Sequence, residues 1–431
     1  MNSLIFLLNL PSMDKRTFLK NLIGTTLAAT PFYNEIGQLV ELNDKFSAEE
    51  LAQNEDFWGK IRKDYLLKPD YINLENGYYC MMPQPTLERY LERIRYINLH
   101  ASYYMRTDQW RNKAKSAAAL AQLAKCNNDE LIITRNTTES LDTIIQGFPW
   151  KRGDEAVMAN QDYGAMLNMF KQVEARQGIV LKAIDVPMNP SRDEVIVEAY
   201  RKAITPKTRL LMVCHMINIT GHILPIRKIC DMAHSLGVEV MVDGAHAFGH
   251  IDFDMKELDC DYYGTSLHKW MSVPLGAGFL YVKKDKIDKI WPLMAEGKTE
   301  PGDIKRLNHI GTHPVATDLT ILDAIDYHNM IGIARKEARL RYLKSYWVEK
   351  VRGIENIVLN TPQDKDRSCA IANVGIKQMK PSDMAKSLMQ NYNIWTVAID
   401  GAGVHGCRIT PNVYTTTQEL DRFVEALKDM V

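Results

Sequence analysis

The chain has 431 residues, 46% of them hydrophobic and 25% charged, with Lys+Arg and Asp+Glu equal at 53 each. That length suits a large enzyme domain with a smaller companion, and the balanced charge gives no ground for a nucleic-acid or anionic-membrane partner. Seven scattered cysteines (Cys80, Cys126, Cys214, Cys230, Cys260, Cys369, Cys407), odd in number and without C-x-x-C or zinc spacing, argue against a disulfide framework or a structural metal.

In chain order, the first feature is Asp14-Lys15-Arg16-Thr17-Phe18-Leu19-Lys20, followed by a weakly apolar run from Leu22 to Phe32. It has the form of a twin-arginine export signal with Lys15 in place of the first arginine, and Met13 is an alternative start. A solvated or amphipathic arm over residues 1–44 is the plain alternative, so localisation stays open between cytoplasm and periplasm. No later run approaches the ~20 apolar residues that span a bilayer. Residues 45–86 are expected to join a smaller lobe or an oligomer partner.

From residue 87 to 316, helical periodicity alternates with short β-branched runs, the pattern of a parallel sheet with crossover helices. Strands are expected at Glu155–Ala159, Ile179–Ile184, Arg209–Cys214, Val238–Val242 and Gly278–Val282, with their carboxyl ends facing a site. Helices are expected at Glu139–Gln146, Tyr163–Arg176, Arg192–Ala203 and Ile226–Ser235, where apolar residues recur at three- and four-residue spacing. Residues 317–431 read as a smaller α+β lobe: one long helix over Leu319–Lys350, a strand at Ala370–Ile376, and helices at Pro381–Gln390 and Thr417–Met430. There is no repeat or coiled-coil heptad run.

Chemistry concentrates in Val242-Asp243-Gly244-Ala245-His246 at a strand's end, and in Gly264-Thr265-Ser266-Leu267-His268-Lys269-Trp270 one helix and strand later. Upstream, Arg135-Asn136-Thr137-Thr138-Glu139-Ser140 stands just before an apolar-periodic segment, where free N–H groups and the helix dipole make an anion site. Each piece has a bland reading: a solvated lysine, a turn aspartate, an ordinary N-cap. As an ordered set they resemble the class V aminotransferase family of fold-type I pyridoxal-phosphate enzymes, which includes isopenicillin N epimerase, cysteine desulfurases, selenocysteine lyases and kynureninase.

The resemblance covers most of residues 72–431. It implies an α/β fold-type I architecture, with a large lobe built on a mainly parallel sheet and a smaller α+β carboxyl-terminal lobe. It also implies pyridoxal 5'-phosphate as cofactor, held by Lys269 as a Schiff base, with Asp243 keeping the pyridine nitrogen protonated. Thr137, Thr138, Ser266 and His268 take the phosphate-contacting positions, Tyr163 the position stacked on the ring, and Asn218 the donor to the ring oxygen. His246 stands where it contacts the ring oxygen or the substrate. In relatives Gly311-Thr312 reaches the phosphate of the neighbouring subunit's cofactor, which implies a homodimer with shared sites. Arg408 matches the arginine that grips a substrate α-carboxylate through its guanidinium fork.

The substrate class implied is an amino acid or keto acid, and the reaction a transamination or an epimerisation at the α-carbon. A desulfurase or selenocysteine lyase needs a thiolate on a mobile loop well before the arginine, whereas Cys407 directly abuts Arg408 and the preceding loop, Ile399 to Gly406, is short. A catalytically silent binding protein of this fold would have lost Lys269 or Asp243, and both are present. No G-x-G-x-x-G turn supports a nicotinamide enzyme.

Overall fold

The computed structural model describes residues 31–431 apart from 296 and 298, so the export-signal reading of residues 14–30 lies outside the described residues. Helix α1 (Pro31–Leu42) leads to α2 (Ala48–Ala52) and α3 (Glu55–Arg62). Ser47 and Glu50 form a reciprocal capping box on α2, and the Asn54 side chain accepts the Phe57 N–H to start α3. Each such cap is worth about 1 kcal/mol. A two-residue strand β1 (Ile72–Asn73) follows, then the helices α4 (Gln84–Thr107) and α5 (Gln109–Ala124).

The central sheet comprises β2 (Leu131–Thr134), β3 (Glu155–Ala159), β4 (Val180–Ile184), β5 (Thr208–Cys214), β6 (Glu239–Asp243), β7 (Tyr262–Ser266) and β8 (Gly278–Val282), in the order β2-β8-β7-β6-β5-β3-β4. Only β8 runs antiparallel to its neighbours. The crossovers are α6 (Thr137–Gly147), α7 (Gly164–Gln177), α8 (Asp193–Ala203), α9 (Ile226–Ser235) and the short α10 (Met255–Leu258). Alternation along the strands divides the core in two. Val157, Leu211, Val213, Val240 and Val242 face one apolar layer, while Ala156, Met158, Leu210, Met212 and Met241 face the other. Such near-continuous apolar strands are what a sheet covered on both faces requires. With this topology, the carboxyl ends of β2, β3, β5, β6 and β7 share one edge.

Beyond the sheet, the expected helix over Leu319–Lys350 is two helices, α11 (Val315–Ile331) and α12 (Ile333–Val351), broken at Gly332. Gly332 has φ +84°, a conformation that residues with a side chain rarely adopt, so apolar periodicity carries through a point where the backbone cannot continue. A second, antiparallel sheet has the order β12-β13-β10-β9, made from β9 (Ile357–Leu359), β10 (Ala372–Ile376), β12 (Val397–Gly401) and β13 (Val404–Ile409). It packs with α13 (Pro381–Tyr392) and the terminal α14 (Thr417–Asp429). Strand β11 (Ile394–Trp395) pairs in parallel with β1, which ties the amino-terminal segment to this carboxyl-terminal region. No described helix is long and apolar enough to cross a membrane.

Candidate active site

Asp243 ends β6 and is 4% exposed. Burial pushes its carboxyl pKa up, and the Ala245 N–H, donated to Oδ1 at 2.9 Å, together with the charge of Lys269, pulls it partly back. The next residue has to be glycine, because a Cβ on Gly244 would lie 2.0 Å from Cζ of the buried Tyr263 ring.

Lys269 sits in the turn after β7, with Nζ 3.0 Å from His246 Nε2. Withdrawal from water is the largest influence on its amine and holds the pKa at about 8, with Asp243 pulling upward and Arg408 pushing further down. His246 is likewise kept far below its ordinary pKa, first by burial and then by the Lys269 charge, so its ring is neutral. The Trp270 Nε1–H donates to His246 Nδ1 at 3.4 Å. The ring hydrogen of His246 therefore stands on Nε2, where it donates to the lone pair of an uncharged Lys269 amine.

This pair is braced from below. His250 stacks on Trp270 with ring centroids 3.7 Å apart. Its Nε2 accepts the Ala370 N–H at 3.0 Å, which leaves Nδ1–H to donate to the His246 carbonyl at 2.8 Å. Buried Lys336 of α12 donates to the Trp270 carbonyl.

At the start of α6, the Thr137 N–H donates to Ser266 Oγ at 2.9 Å, and the two hydroxyls are 2.7 Å apart. Asn136 caps the helix by accepting the Glu139 N–H at 2.9 Å, and Thr138 is half-buried in the first turn. A Cβ on Gly278 would meet Thr265 O at 2.5 Å and the Asn136 Cα at 2.8 Å, so glycine lets β8 pass close behind this cradle. His268 Nδ1 is buried with no hydrogen-bond partner, and burial lowers that ring's pKa to about 4. The helix dipole, the hydroxyls and this unpartnered ring nitrogen make a set that fits a phosphate.

Tyr163 stands at the N-cap of α7 after β3 and is 46% exposed. Asn218 lies in the loop after β5, where its backbone carbonyl accepts from Arg408 Nη1 at 3.3 Å. Gly311 and Thr312 are exposed, and no described hydrogen bond joins them to the cluster around Lys269; the neighbouring His313 is fixed by Asp318 Oδ2 at 2.8 Å.

Arg408, on β13, is already paired. Its Nε donates to Glu75 Oε2 at 3.1 Å and its Nη2 to Glu75 Oε1, with the two side chains 8% and 7% exposed. Glu75, Lys336 and His250 are absent from the motifs read along the sequence. Glu75 stands in Asn73-Leu74-Glu75-Asn76-Gly77, where no local pattern announces a partner more than three hundred residues away.

A family model described as Aminotransferase class-V matches residues 80–423. The chain belongs to the class V aminotransferase family. Its class V relatives include an isopenicillin N epimerase of Amycolatopsis lactamdurans, 28% identical over 396 residues, covering 86% of this chain and 98% of the relative. A probable cysteine desulfurase of Synechocystis is 26% identical over 410 residues, covering 85% and 94%. Among solved structures, a cysteine desulfurase from Thermococcus onnurineus NA1 superposes with a TM-score of 0.76 at 22% identity, covering 86% and 98%. The fold is that of the fold-type I enzymes, as the sequence motifs imply. Pyridoxal phosphate is the cofactor of the class V family, and the cradle at α6 with Asp243 and Lys269 fits it.

Proposed function

We propose that the protein catalyses transamination or epimerisation at the carbon bearing the amine of a small amino-acid or amine substrate. The observation that carries this reading is Lys269: a buried amine 3.0 Å from His246 whose pKa is lowered to about 8 by burial, so that an uncharged fraction is available as nucleophile and base near neutral pH. Bound here, pyridoxal phosphate supplies an electron sink for charge developing at that carbon. Thr137, Thr138, Ser266 and His268 would hold its phosphate, and Tyr163 and Asn218 would contact its ring. Asp243 would keep the ring nitrogen protonated. Lys269 would hold the cofactor covalently through its amine, and the same amine is the group placed to move a proton to or from the substrate's α-carbon. His246 orients that amine.

The exposure of Gly311 and Thr312 supports a homodimer in which they complete the partner's phosphate cradle. A thiol-based desulfurase is disfavoured by the cysteines. Cys407 is buried on β13 and burial pushes its thiol up to about 11; Cys80 lies nearer Lys269 but is fully buried and pushed up to about 12. Neither supplies a mobile thiolate.

The test is to mix the holoenzyme with a panel of amino acids, amines and keto acids in D2O. Cofactor absorbance is followed along with exchange of the α-proton. Spectral change with keto-acid formation or α-deuteration supports the reading, and Cys407→Ala should behave like wild type. Release of alanine from cysteine with a persulfide on Cys407, lost in Cys407→Ala, would sink it.

A further inference from the structure

The carboxylate that sits on Arg408 belongs to the chain itself. Backbone pairing puts it there: the Leu74 carbonyl accepts the Thr410 N–H at 2.8 Å, and the Asn76 N–H donates to Thr410 Oγ1 at 2.6 Å. Glu75, between them, is thereby held alongside β13 two residues from Arg408. The Tyr78 N–H also donates to Glu75 Oε1 at 3.0 Å, the oxygen that accepts Arg408 Nη2, which helps fix the carboxylate. The same turn covers the guanidinium face, since a Cβ on Gly77 would lie 3.0 Å from Arg408 Cζ. The Nε and Nη2 edge is thus filled by Glu75, one Nη1 hydrogen goes to the Asn218 carbonyl, and the pair carries no net charge. An incoming carboxylate meets a tethered competitor in the fork position and a like charge beside it.

We propose that Glu75 is a specificity-determining residue: it occupies Arg408 in place of a substrate carboxylate and shifts the enzyme's preference from α-amino acids toward primary amines that carry no α-carboxylate. This rests on the reading above for an amine-bearing substrate at Lys269, and on the family resemblance for placing the end of that substrate against Arg408. A tethered carboxylate competes at an effective concentration of roughly millimolar or higher. Millimolar carboxylate ligands should therefore bind poorly until it is removed. Glu75→Gln keeps the acceptor for the Tyr78 N–H and removes the charge.

The experiment titrates propionate, a carboxylate with no amine to react, into the holoenzyme by calorimetry for wild type, Glu75→Gln and Glu75→Ala, each checked for folding by cofactor content and melting temperature. In parallel, the ratio of kcat/KM for L-alanine over ethylamine is measured. Propionate affinity should rise at least about tenfold in both variants, and the ratio should shift at least about tenfold toward alanine, with the change in KM rather than kcat. Unchanged or weaker propionate binding in Glu75→Gln and Glu75→Ala overturns the proposal and leaves Glu75 as a residue that merely positions Arg408. Tighter propionate binding with no turnover of any amine or amino acid supports the Glu75 assignment and sinks the reaction reading instead.

Discussion

Raising the pH from neutral to alkaline should switch on covalent capture of pyridoxal phosphate by the cofactor-free protein, because only an uncharged Lys269 amine is nucleophilic. Burial disfavours the ammonium form, so the proton is lost at lower pH than on an exposed lysine, and capture rises with pH and flattens above the folded pKa. With that pKa at about 8 in place of the ordinary 10.5, the uncharged fraction is about one tenth at pH 7, half at pH 8 and nine tenths at pH 9. An unshifted lysine would be uncharged in only about 0.03% of molecules at pH 7, so the surroundings of Lys269 supply roughly a three-hundredfold advantage there. Asp243 is the charge that raises the amine's pKa, so Asp243→Asn should bring the plateau to lower pH. The assay is stopped-flow absorbance of the lysine-bound cofactor at closely spaced pH values. A rate still climbing through pH 10, or a midpoint that rises in Asp243→Asn, would refute the argument from burial.

Gly244→Ala drives a methyl into the Tyr263 ring and should destabilise the protein by about 3 kcal/mol in urea unfolding, with Tyr263→Ala in the same chain relieving the clash. Arg408→Ala leaves the Glu75 carboxylate buried and unpaired and should cost about 3–5 kcal/mol of stability, much of it recovered when Glu75→Met is combined with Arg408→Met; equal melting of Arg408→Ala and wild type would contradict this. In mixed dimers with Lys269→Ala on one chain and Thr312→Ala on the other, one site should retain cofactor fully and its companion should not. Equal loss at both sites would count against sharing.

Much of the sheet was legible because its strands are short apolar runs, most of them covered on both sides: Glu155–Ala159 and Gly278–Val282 fall on the observed bounds. Two strands escaped. Leu131–Thr134 is only four residues long, and Tyr262–Ser266 contains Gly264, whose missing Cβ makes a poor strand signal but leaves room for Leu141, which a Cβ there would meet at 2.8 Å. The helix break at Gly332 was hidden because apolar periodicity runs on both sides of it. In the candidate site, Asp243, Ser266, His268 and Lys269 could be proposed from the sequence since each lies in a local motif at or just after a strand's end. Glu75, His250 and Lys336 were not, because their partners Arg408, Ala370 and Trp270 are set by tertiary pairing, which leaves no periodic trace in the chain.

The bracing of Lys269 from Ala370 through His250 also sets a timetable for assembly. Ribosomal synthesis delivers the lysine turn well before Lys336, Ala370 and Arg408, yet each of these finishes part of its surroundings. A nascent chain released at residue 360 would hold the cradle at α6 and the lysine itself, but would lack the Ala370 N–H that fixes the His250 tautomer and the β13 strand that closes over Glu75. Full ordering of the surroundings of Lys269 accordingly waits until the carboxyl-terminal sheet has docked.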